Sequence, residues 1–291
     1  MLYGSSVALI TPMQPTGELD EKRIRLLIEM HITAGTNAIV VNGTTGESPT
    51  LNDKERNRII EIAVETAKGR IPIIAGTGTY STMETIHRSE EARNLGVNAV
   101  LIITPYYNKP TQEGLYEHFK AIAESVSIPI ILYNQPSRTS CDLLPETVER
   151  LSYLPNIIGL KEGSADAGRI KELVARCGER MDFVSSDDAS SLAFMLQGGK
   201  GVISVTANVV PKAMREMCAA ALARNLNLAG ELNTRLMPLH KALGLETNPI
   251  PVKWAAAQLG LIEEGIRLPL TPLSDKYHAV VREAMKESGA L

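Results

Sequence analysis

Lys161 ends a short apolar run, Ile157-Ile158-Gly159-Leu160, and is followed by Glu162. Continuous apolar runs of this length are typical of strands buried on both faces of a parallel sheet. A lysine at the end of such a strand loses contact with water, and desolvation favours the neutral amine over the ammonium. A neutral lysine amine is a nucleophile toward carbonyl groups. Taken by itself, an ordinary solvated lysine is the commoner case at a strand end, so the rest of the sequence must decide between the two.

Hydroxyl groups dominate the other positions at which predicted strands end. The residues there are Thr11, Thr44, Thr45, Thr77, Tyr106, Tyr107, Tyr133, Arg138, Lys161, Ser186, Asp187, Ser204 and Thr206. A lysine that condenses with a keto group forms a protonated imine. The imine draws electrons from the neighbouring carbon and gives an enamine that attacks an aldehyde. A positioned tyrosine can carry the proton transfers. An amine among hydroxyls therefore favours Schiff-base chemistry.

Three motifs near these positions each have two interpretations. The run Gly43-Thr44-Thr45-Gly46-Glu47 could present N–H groups and hydroxyls to a carboxylate at a helix start, or it could be a turn that caps the next helix. Arg138 could hold a carboxylate through two N–H donors, or it could be a surface arginine after a Pro-Ser turn. The pair Tyr106-Tyr107 could serve a site or form a hydrophobic interface. Residue types alone leave these alternatives open.

Several other chemistries lack their residues. The five histidines lie in helical or C-terminal segments, so we expect no metal and no cofactor. Cys141 follows a predicted strand, but its neighbours offer no base that would activate a thiol. Gly76-Thr77-Gly78 is half of a dinucleotide loop, but Ser81 stands where a third glycine is needed. Gly198-Gly199-Lys200-Gly201 looks like a phosphate cradle but precedes its strand, so we predict a turn at the opposite face.

The elements that must position these residues alternate between strands and helices. The predicted strands cover residues 6–11, 37–41, 71–76, 99–103, 130–132, 157–160, 182–185 and 202–205. Helical patterns follow each strand, with Asp20 and Asn52 as caps and Pro145 as a first helical residue. Eight βα units in little over two hundred residues predict an α/β fold, a (β/α)8 TIM barrel with its active site at the C-terminal ends of the strands. An open doubly wound sheet is the alternative, which the missing dinucleotide fingerprint disfavours.

The tail from about Arg224 is helical without strands. We predict a barrel over residues 1–223 and a helical extension over residues 224–291 that packs on the barrel or on another subunit. The chain is 44% hydrophobic and 22% charged with a net charge of -3, which offers no basic surface for nucleic acid or a membrane. Its apolar runs are too short to span a bilayer, and its first residues lack a signal-peptide pattern. Three widely spaced cysteines suit the reducing cytoplasm.

Five motifs resemble those of the dihydrodipicolinate synthase family. They are Gly43-Thr44-Thr45-Gly46-Glu47, Thr104-Pro105-Tyr106-Tyr107-Asn108-Lys109-Pro110, Tyr133-Asn134-Gln135-Pro136-Ser137-Arg138-Thr139, Gly159-Leu160-Lys161-Glu162 and Asn248-Pro249-Ile250-Pro251-Val252-Lys253. The similarity spans nearly the whole chain in order. The glycine-threonine and lysine motifs are shared with the wider pyruvate-aldolase superfamily, including N-acetylneuraminate lyases. The Ser-Arg-Thr motif and the tyrosine pair are more specific to the synthases.

The resemblance implies a lyase that condenses pyruvate with L-aspartate 4-semialdehyde to 4-hydroxy-tetrahydrodipicolinate, the committed step toward diaminopimelate and lysine. By position in these motifs, Lys161 forms the Schiff base with pyruvate, and Tyr133 is the proton donor and acceptor. Thr44 and Tyr107 complete a hydroxyl relay, with Tyr107 contributed by a neighbouring subunit.

Substrate binding and assembly follow from the same resemblance. Thr45 and Ile203 border the pyruvate, and Thr45 binds its carboxylate. Arg138 holds the carboxylate of the aldehyde substrate. The family is typically a homotetramer built as a dimer of dimers, which suits the extra C-terminal helices and the tyrosine pair.

The family's site for lysine as a feedback inhibitor maps to seven positions here. They are Ser48, Pro49, Asp53, Arg56, Tyr80, Glu84 and Tyr106. Lysine-sensitive members usually have histidine at one or both positions 53 and 56, and asparagine at position 80. Arg56 instead places a cation near a cationic ligand, and Tyr80 replaces the amide, while Glu84 remains to bind the ammonium. We predict weak or absent inhibition by lysine.

Other departures from the family pattern lie nearer the catalytic residues. Gln135 stands where the family usually has a small aliphatic residue, and Ser140 and Ser186 stand where it usually has glycine. Ser186 lies near the expected pyruvate site, so its hydroxyl could shift substrate affinity.

Two functions are the alternatives to the synthase. Arg138 disfavours a lyase acting on a sugar acid, and the intact proton relay disfavours an idle barrel that only binds a keto acid.

Overall fold

Eight parallel strands close into a barrel in chain order, with β8 paired to β1. The computed structural model describes residues 2–164, 166 and 168–291. The strands are β1 Gly4–Ala8, β2 Ile39–Val41, β3 Ile73–Gly76, β4 Ala99–Ile103, β5 Ile130–Asn134, β6 Ile157–Glu162, β7 Asp182–Ser185 and β8 Gly201–Ser204. The closed sheet confirms the predicted (β/α)8 TIM barrel and excludes the open alternative. Within the described ranges, no helix is both long and apolar enough to cross a membrane.

The helices surround the sheet and continue beyond it. They are α1 Glu21–Ala34, α2 Asp53–Ala67, α3 Thr82–Asn94, α4 Gln112–Ser125, α5 Pro136–Thr139, α6 Pro145–Leu151, α7 Arg169–Cys177, α8 Ser191–Leu196, α9 Pro211–Leu222, α10 Leu226–Ala242, α11 Ile250–Gln258 and α12 His278–Glu287. Asp20 caps α1 by accepting from the Arg23 N–H. Asn52 and Glu55 form a reciprocal capping box at α2. The predicted caps and the start at Pro145 are therefore confirmed.

Two apolar cores lie on the two faces of the sheet. The inner core fills the barrel and contains Leu2, Ala8, Ala38, Val40, Ile74, Ala99, Leu101, Ile131, Tyr133, Val184 and Ile203. The outer core lies between the strands and the helices and is much larger. Such double burial is why the strands read as continuous apolar runs in the sequence.

The pairing of β5 with β6 places the key side chains. Tyr133 pairs with Lys161, and the next residues, Asn134 and Glu162, also pair. Residues at paired positions in parallel strands point to the same face of the sheet, and successive residues alternate between faces. The register shifts between Ile130 and Ile131, which is the irregularity expected of a bulge. Lys161 and Tyr133 therefore lie side by side at the C-terminal end of the barrel.

The C-terminal helices are fastened to the barrel by a buried ion pair. Lys253 of α11 contacts the carboxylate of Glu47, and both side chains are buried. The backbone N–H of Arg267 donates to the same carboxylate at 3.1 Å. Arg267 also pairs with Glu55 at 2.5 Å. The extension thus holds the loop after β2, whereas a unit boundary near residue 224 stays a prediction.

Candidate active site

Lys161 and Tyr133 are in direct contact at the end of β5 and β6. The Lys161 Nζ lies 4.2 Å from the centroid of the Tyr133 ring. The two residues are only 6% and 7% exposed, so the amine is held in a largely dry setting. A cation over a tyrosine face at this distance is attracted by the ring quadrupole. The predicted pairing of a sheltered amine with a tyrosine is therefore present in the barrel.

Lys253 provides a contrast within the same chain. It is the other buried lysine of the described residues, at 4% exposure, and it forms an ion pair with Glu47. Burial lowers the pKa of Lys253, and the Glu47 carboxylate opposes that change. A buried lysine held by a carboxylate has a structural role. Lys161 instead faces an aromatic ring and the open cavity.

The hydroxyl of Tyr133 is surrounded by groups that affect its proton. Burial by itself raises the pKa of Tyr133, but the charge of Lys161, the Ser186 hydroxyl and the charge of Arg138 outweigh it. The net effect is a pKa below the ordinary value of tyrosine. The Thr44 hydroxyl contributes in the same direction. A lowered pKa suits a residue that must both give and take protons near neutral pH.

A cavity of about 210 Å³ opens in front of this pair. Its lining includes Thr44, Thr45, Tyr133, Arg138, Lys161 and Ser186. Thr44 and Thr45 come from the loop after β2 and Ser186 from the loop after β7. Tyr133 and Lys161 lie near the ends of β5 and β6, and Arg138 lies on α5. The chain therefore brings one amine, one guanidinium and several hydroxyls around a space that a small keto acid fits.

Thr45 and Arg138 are joined through the extension. Asn248 Nδ2 donates to Thr45 Oγ1 at 3.0 Å, and Asn248 O accepts from Arg138 Nη2 at 3.3 Å. Arg138 is exposed at the mouth of the cavity, on the short helix α5. Ile203 is fully buried on β8 in the same inner core as Tyr133. Thus Thr45 and Arg138 line the cavity, whereas Ile203 lies in its apolar surroundings.

Tyr107 lies outside this cavity in the isolated chain. Its side chain is 92% exposed, and its backbone has a φ of 74°. A large residue rarely adopts the left-handed region, and such strain persists mostly where function or packing requires it. The adjacent Tyr106 packs edge-on against Tyr80, with ring centroids 5.3 Å apart. A contribution of Tyr107 to a neighbouring subunit stays a prediction.

The residues predicted to bind lysine as an inhibitor do come together, but their charges differ from the expectation. Arg88 Nε donates to Glu84 Oε1 at 2.7 Å, so the carboxylate predicted to bind an ammonium already has a cationic partner. Arg56 is buried and donates to the Ser48 hydroxyl at 2.9 Å. Burial and the nearby Arg88 charge lower the pKa of Arg56. Ser48, Pro49, Arg56, Arg88 and Tyr106 share a second cavity of about 240 Å³.

Three of the strand-end hydroxyls have structural partners instead of facing the cavity. Thr11 Oγ1 donates to the Gly46 carbonyl at 2.7 Å. Thr77 and Ser89 share a hydrogen bond of 2.9 Å. Ser204 Oγ accepts from the Ala207 N–H at 2.8 Å. Cys141 is also buried, and burial raises the pKa of its thiol, which is unfavourable for a nucleophile.

Several polar residues for which no role was predicted also line this cavity. Asp188 Oδ2 accepts from the N–H groups of Val205 and Thr206 at 2.9 Å and 3.0 Å. Thr206 Oγ1 and His240 Nδ1 lie 2.8 Å apart. Asp188 directly follows Ser186 and Asp187, which were predicted at this strand end, so its position in the sequence could have indicated a place near the site. His240 comes from α10 and carried no local signal, because only the tertiary fold brings it to the barrel mouth.

All three departures from the family pattern near the catalytic residues have clear structural settings. Ser140 has a φ of 53° at the end of α5, in the left-handed region where glycine is favoured. Gln135 and Ser186 meet at the cavity wall, with Ser186 Oγ donating to Gln135 Oε1 at 2.6 Å. The Tyr133 hydroxyl also reaches this amide oxygen, at 3.4 Å. Gln135 and Ser186 therefore form one cluster beside Tyr133.

Comparison with known proteins shows the family to which the chain belongs. Residues 1–288 match the dihydrodipicolinate synthetase family. The chain is 56% identical to the 4-hydroxy-tetrahydrodipicolinate synthase of Pseudomonas aeruginosa and 54% identical to that of Nitrosococcus oceani, with 100% of both chains covered in each case. Its fold superposes with a TM-score of 0.98, at 49% identity and full coverage of both chains, on the chloride-inhibited dihydrodipicolinate synthase of Acinetobacter baumannii complexed with pyruvate. The Aquifex aeolicus dihydrodipicolinate synthase gives a TM-score of 0.97 at 47% identity, with 99% of this chain and 98% of that chain covered. The chain therefore belongs to the dihydrodipicolinate synthetase family.

Proposed function

We propose that the chain is a lyase that condenses pyruvate with L-aspartate 4-semialdehyde to 4-hydroxy-tetrahydrodipicolinate, in the biosynthesis of diaminopimelate and lysine. The observation that carries the proposal is the contact of Lys161 with Tyr133 inside a hydroxyl-lined cavity. The relatives named above as 4-hydroxy-tetrahydrodipicolinate synthases support the reaction. The pyruvate complex of the Acinetobacter baumannii enzyme supports the first substrate.

In the proposed mechanism, Lys161 Nζ attacks the keto carbon of pyruvate, and loss of water gives an iminium ion. The iminium withdraws electrons, so that a methyl proton leaves and an enamine forms. The enamine carbon then bonds to the aldehyde carbon of the second substrate, which re-forms the iminium, while the aldehyde oxygen takes a proton from the relay and becomes the 4-hydroxyl. When the amine of that substrate attacks the iminium carbon, the ring closes and the lysine is released.

Tyr133 serves these steps as proton donor and acceptor. Its lowered pKa makes both directions of transfer accessible, which general acid–base catalysis requires. Thr44 lines the cavity beside it and passes the proton on. Because the Lys161 amine contacts the Tyr133 ring, a proton that passes between the two residues travels a short distance. Removal of water and eventual release of the lysine both use this same relay.

The carboxylates of the two substrates require separate partners. Thr45 accepts from Asn248, which leaves its hydroxyl proton to be donated to the pyruvate carboxylate near Lys161, with Ile203 as an apolar neighbour. Arg138 lies exposed at the cavity mouth, where it can clamp the carboxylate of an incoming short aldehyde. A long polyhydroxylated sugar acid would place uncharged hydroxyls against this guanidinium instead.

We also propose that the working unit is a homotetramer, built as a dimer of dimers, in the cytoplasm. The exposed and strained Tyr107 supports a subunit interface at which it reaches a neighbour's relay. The described cysteines, Cys141, Cys177 and Cys218, are buried free thiols, which supports a reducing compartment.

The substrate is tested by giving the purified chain either pyruvate with L-aspartate 4-semialdehyde or N-acetylneuraminate alone. The proposal predicts pyruvate-dependent consumption of L-aspartate 4-semialdehyde and no cleavage of N-acetylneuraminate. Cleavage of the sugar acid, with the semialdehyde untouched, would assign the chain to the lyase branch. Pyruvate binding with neither reaction would instead indicate an idle keto-acid-binding barrel.

A further inference from the structure

Gln135 is the centre of a hydrogen-bonded cluster beside the Tyr133 hydroxyl. Its Oε1 lies 2.6 Å from Ser186 Oγ and 3.4 Å from Tyr133 Oη. Its Nε2 lies 2.9 Å from Ser137 Oγ and 3.3 Å from the Gly163 carbonyl oxygen. Both Gln135 and Ser186 line the same cavity as Lys161. The cluster therefore belongs to the reacting space and not to the outer core.

The orientation of the Gln135 amide follows from its partners. The Gly163 carbonyl can only accept a hydrogen bond, so the NH₂ group must face it. The amide oxygen then faces the two hydroxyls and, with two lone pairs, can accept from both. The hydrogen bond from Gln135 Nε2 to the Gly163 carbonyl therefore orients the amide with its oxygen toward the Tyr133 hydroxyl.

Gly163 makes the room that this arrangement needs. A Cβ at position 163 would overlap Gln135 Oε1 and lie 3.0 Å from the Asn134 carbonyl oxygen. Any larger residue there forces the amide to move. Gln135, Gly163 and Ser186 therefore fit one another as a set, on three different segments of the barrel mouth.

We propose that Gln135 and Ser186 are positioning residues that set the protonation of Tyr133 in opposite directions. The proposal rests on the proposed role of Tyr133 as proton donor and acceptor. Gln135 Oε1 accepts from the protonated hydroxyl and stabilises it. Ser186 is a donor that can turn from the amide to the tyrosinate and stabilise the deprotonated form. Together they hold the proton of Tyr133 available to the relay.

Other charged groups act on the same hydroxyl and must be held constant. Lys161 of β6 and Arg138 of α5 face it and favour the tyrosinate. Asp187, Asp188 and His240 line the same cavity. Exchanges at positions 135, 163 and 186 leave all five in place. Any change in the titration of Tyr133 can then be assigned to the cluster.

The test is a spectroscopic titration of tyrosinate in the full-length protein. Each variant is compared with the same variant carrying Tyr133→Phe, so that only the Tyr133 signal remains. Gln135→Met keeps the volume and removes the acceptor, and it should lower the midpoint by roughly half to one pH unit, the equivalent of one hydrogen bond. Ser186→Ala removes the donor and should raise the midpoint by a similar amount.

Gly163→Ala should displace the Gln135 amide oxygen from Tyr133 by steric overlap, and it removes no hydrogen-bonding side chain. It should lower the midpoint as Gln135→Met does, and it should add nothing further in the Gln135→Met background. The high-pH limb of kcat should move with the midpoint in each variant. Unmoved midpoints, or shifts of the same sign at positions 135 and 186, would overturn the proposal. So would a midpoint that moves while the kcat limb stays in place.

The proposed function can fail separately from this inference. A wild-type chain that consumes no semialdehyde would refute the function, while the titration still reports on the cluster. An active wild type with unchanged titrations in all variants would refute the cluster and leave the function standing.

Discussion

At the scale of single residues, the two buried lysines show what determines a lysine's role. Lys253 lies against the carboxylate of Glu47, whereas Lys161 lies against the ring of Tyr133. Both follow or belong to apolar segments in the sequence. The type of neighbour therefore separates a structural ion pair from a candidate nucleophile. Residue type and burial are the same for both.

Arg138 gives the sharpest prediction about the second substrate. Arg138→Ala should lower kcat/KM for L-aspartate 4-semialdehyde roughly 10- to 100-fold, because a charged hydrogen bond contributes about 1.5–3 kcal/mol. Pyruvate binding at Lys161 should persist, since Arg138 lies at the cavity mouth. Steady-state kinetics with each substrate varied in turn measures both effects.

Arg138→Lys is the matched control for this prediction. It keeps the charge but loses the two-pronged geometry, so an intermediate loss is expected. If kcat/KM for the semialdehyde were unchanged in Arg138→Ala, the aldehyde carboxylate would have to bind elsewhere.

The positions of single residues at strand ends predicted most of the cavity lining, but they did not show which hydroxyls have only a structural role. Lys161, Tyr133, Thr45 and Arg138 line one cavity, as their positions at strand ends predicted. Ser204 is at a strand end too, but its hydroxyl accepts from a backbone N–H. A hydroxyl can satisfy a turn or face a ligand with equal ease. Local sequence does not separate these two uses.

At the scale of elements, the apolar runs predicted the existence and order of the eight strands but not all of their bounds, since β1, predicted over residues 6–11, covers Gly4–Ala8. Residues 99–103 and 182–185 were predicted with the bounds that the structure has. In contrast, β5 continues to Asn134 and β6 to Glu162, beyond their apolar runs. Asn134 Nδ2 donates to Glu162 Oε1 at 3.1 Å, and this long-range pair stabilises the polar ends. Such pairing depends on the neighbouring strand and has no local signature.

The buried pair between α11 and the loop after β2 should be important for stability. Lys253→Met leaves the Glu47 carboxylate buried without its partner, and loss of one partner from a buried pair typically costs about 3–5 kcal/mol. Urea unfolding measures the change. The same loop carries Thr44 and Thr45, so kcat/KM for pyruvate should fall as well.

A double variant tests whether the lost stability comes from the unpaired charge. Glu47→Gln combined with Lys253→Met removes both charges and should recover part of the free energy of unfolding. A destabilisation below about 1 kcal/mol in Lys253→Met, the size of an exposed pair, would contradict the fastening role.

We expect lysine to bind weakly in the second cavity, which is lined by Ser48, Pro49, Arg56, Arg88 and Tyr106. Glu84 is paired with Arg88, so its carboxylate is not free to bind the ammonium group of lysine. The buried Arg56 adds a positive charge that repels this ligand. We predict no half-inhibition at sub-millimolar L-lysine in the condensation assay. Arg88→Leu frees Glu84 and should increase lysine sensitivity. Strong inhibition of the wild type would show that the ammonium binds without Glu84.

At the scale of the whole molecule, the barrel itself was predictable, because eight regularly spaced apolar runs leave few other topologies. The assembly depends on surfaces, and surface residues such as Tyr107 carry little pattern. Its 92% exposure and left-handed backbone become informative only in the folded chain. The predicted contribution of a partner subunit is therefore the part of the proposed site that sequence patterns describe least.

Subunit mixing tests whether Tyr107 acts across an interface. Lys161→Ala and Tyr107→Phe should each reduce activity strongly when assayed alone. Mixed assemblies contain a site with an intact Lys161 and the partner subunit's intact tyrosine, so activity should partly return after subunit exchange. Sedimentation of each variant provides the control for assembly. An absence of recovery in verified mixed assemblies would place Tyr107 outside the neighbour's relay.

The most direct test of the account is reductive trapping of the Schiff base. Borohydride added with pyruvate to the wild-type chain should give a covalent adduct, located at Lys161 by peptide mass spectrometry. The Lys161→Ala variant should give none, while Arg138→Ala should still form it. An unmodified wild-type chain, or an adduct at another lysine such as Lys253, would contradict the central claim that Lys161 is the nucleophile.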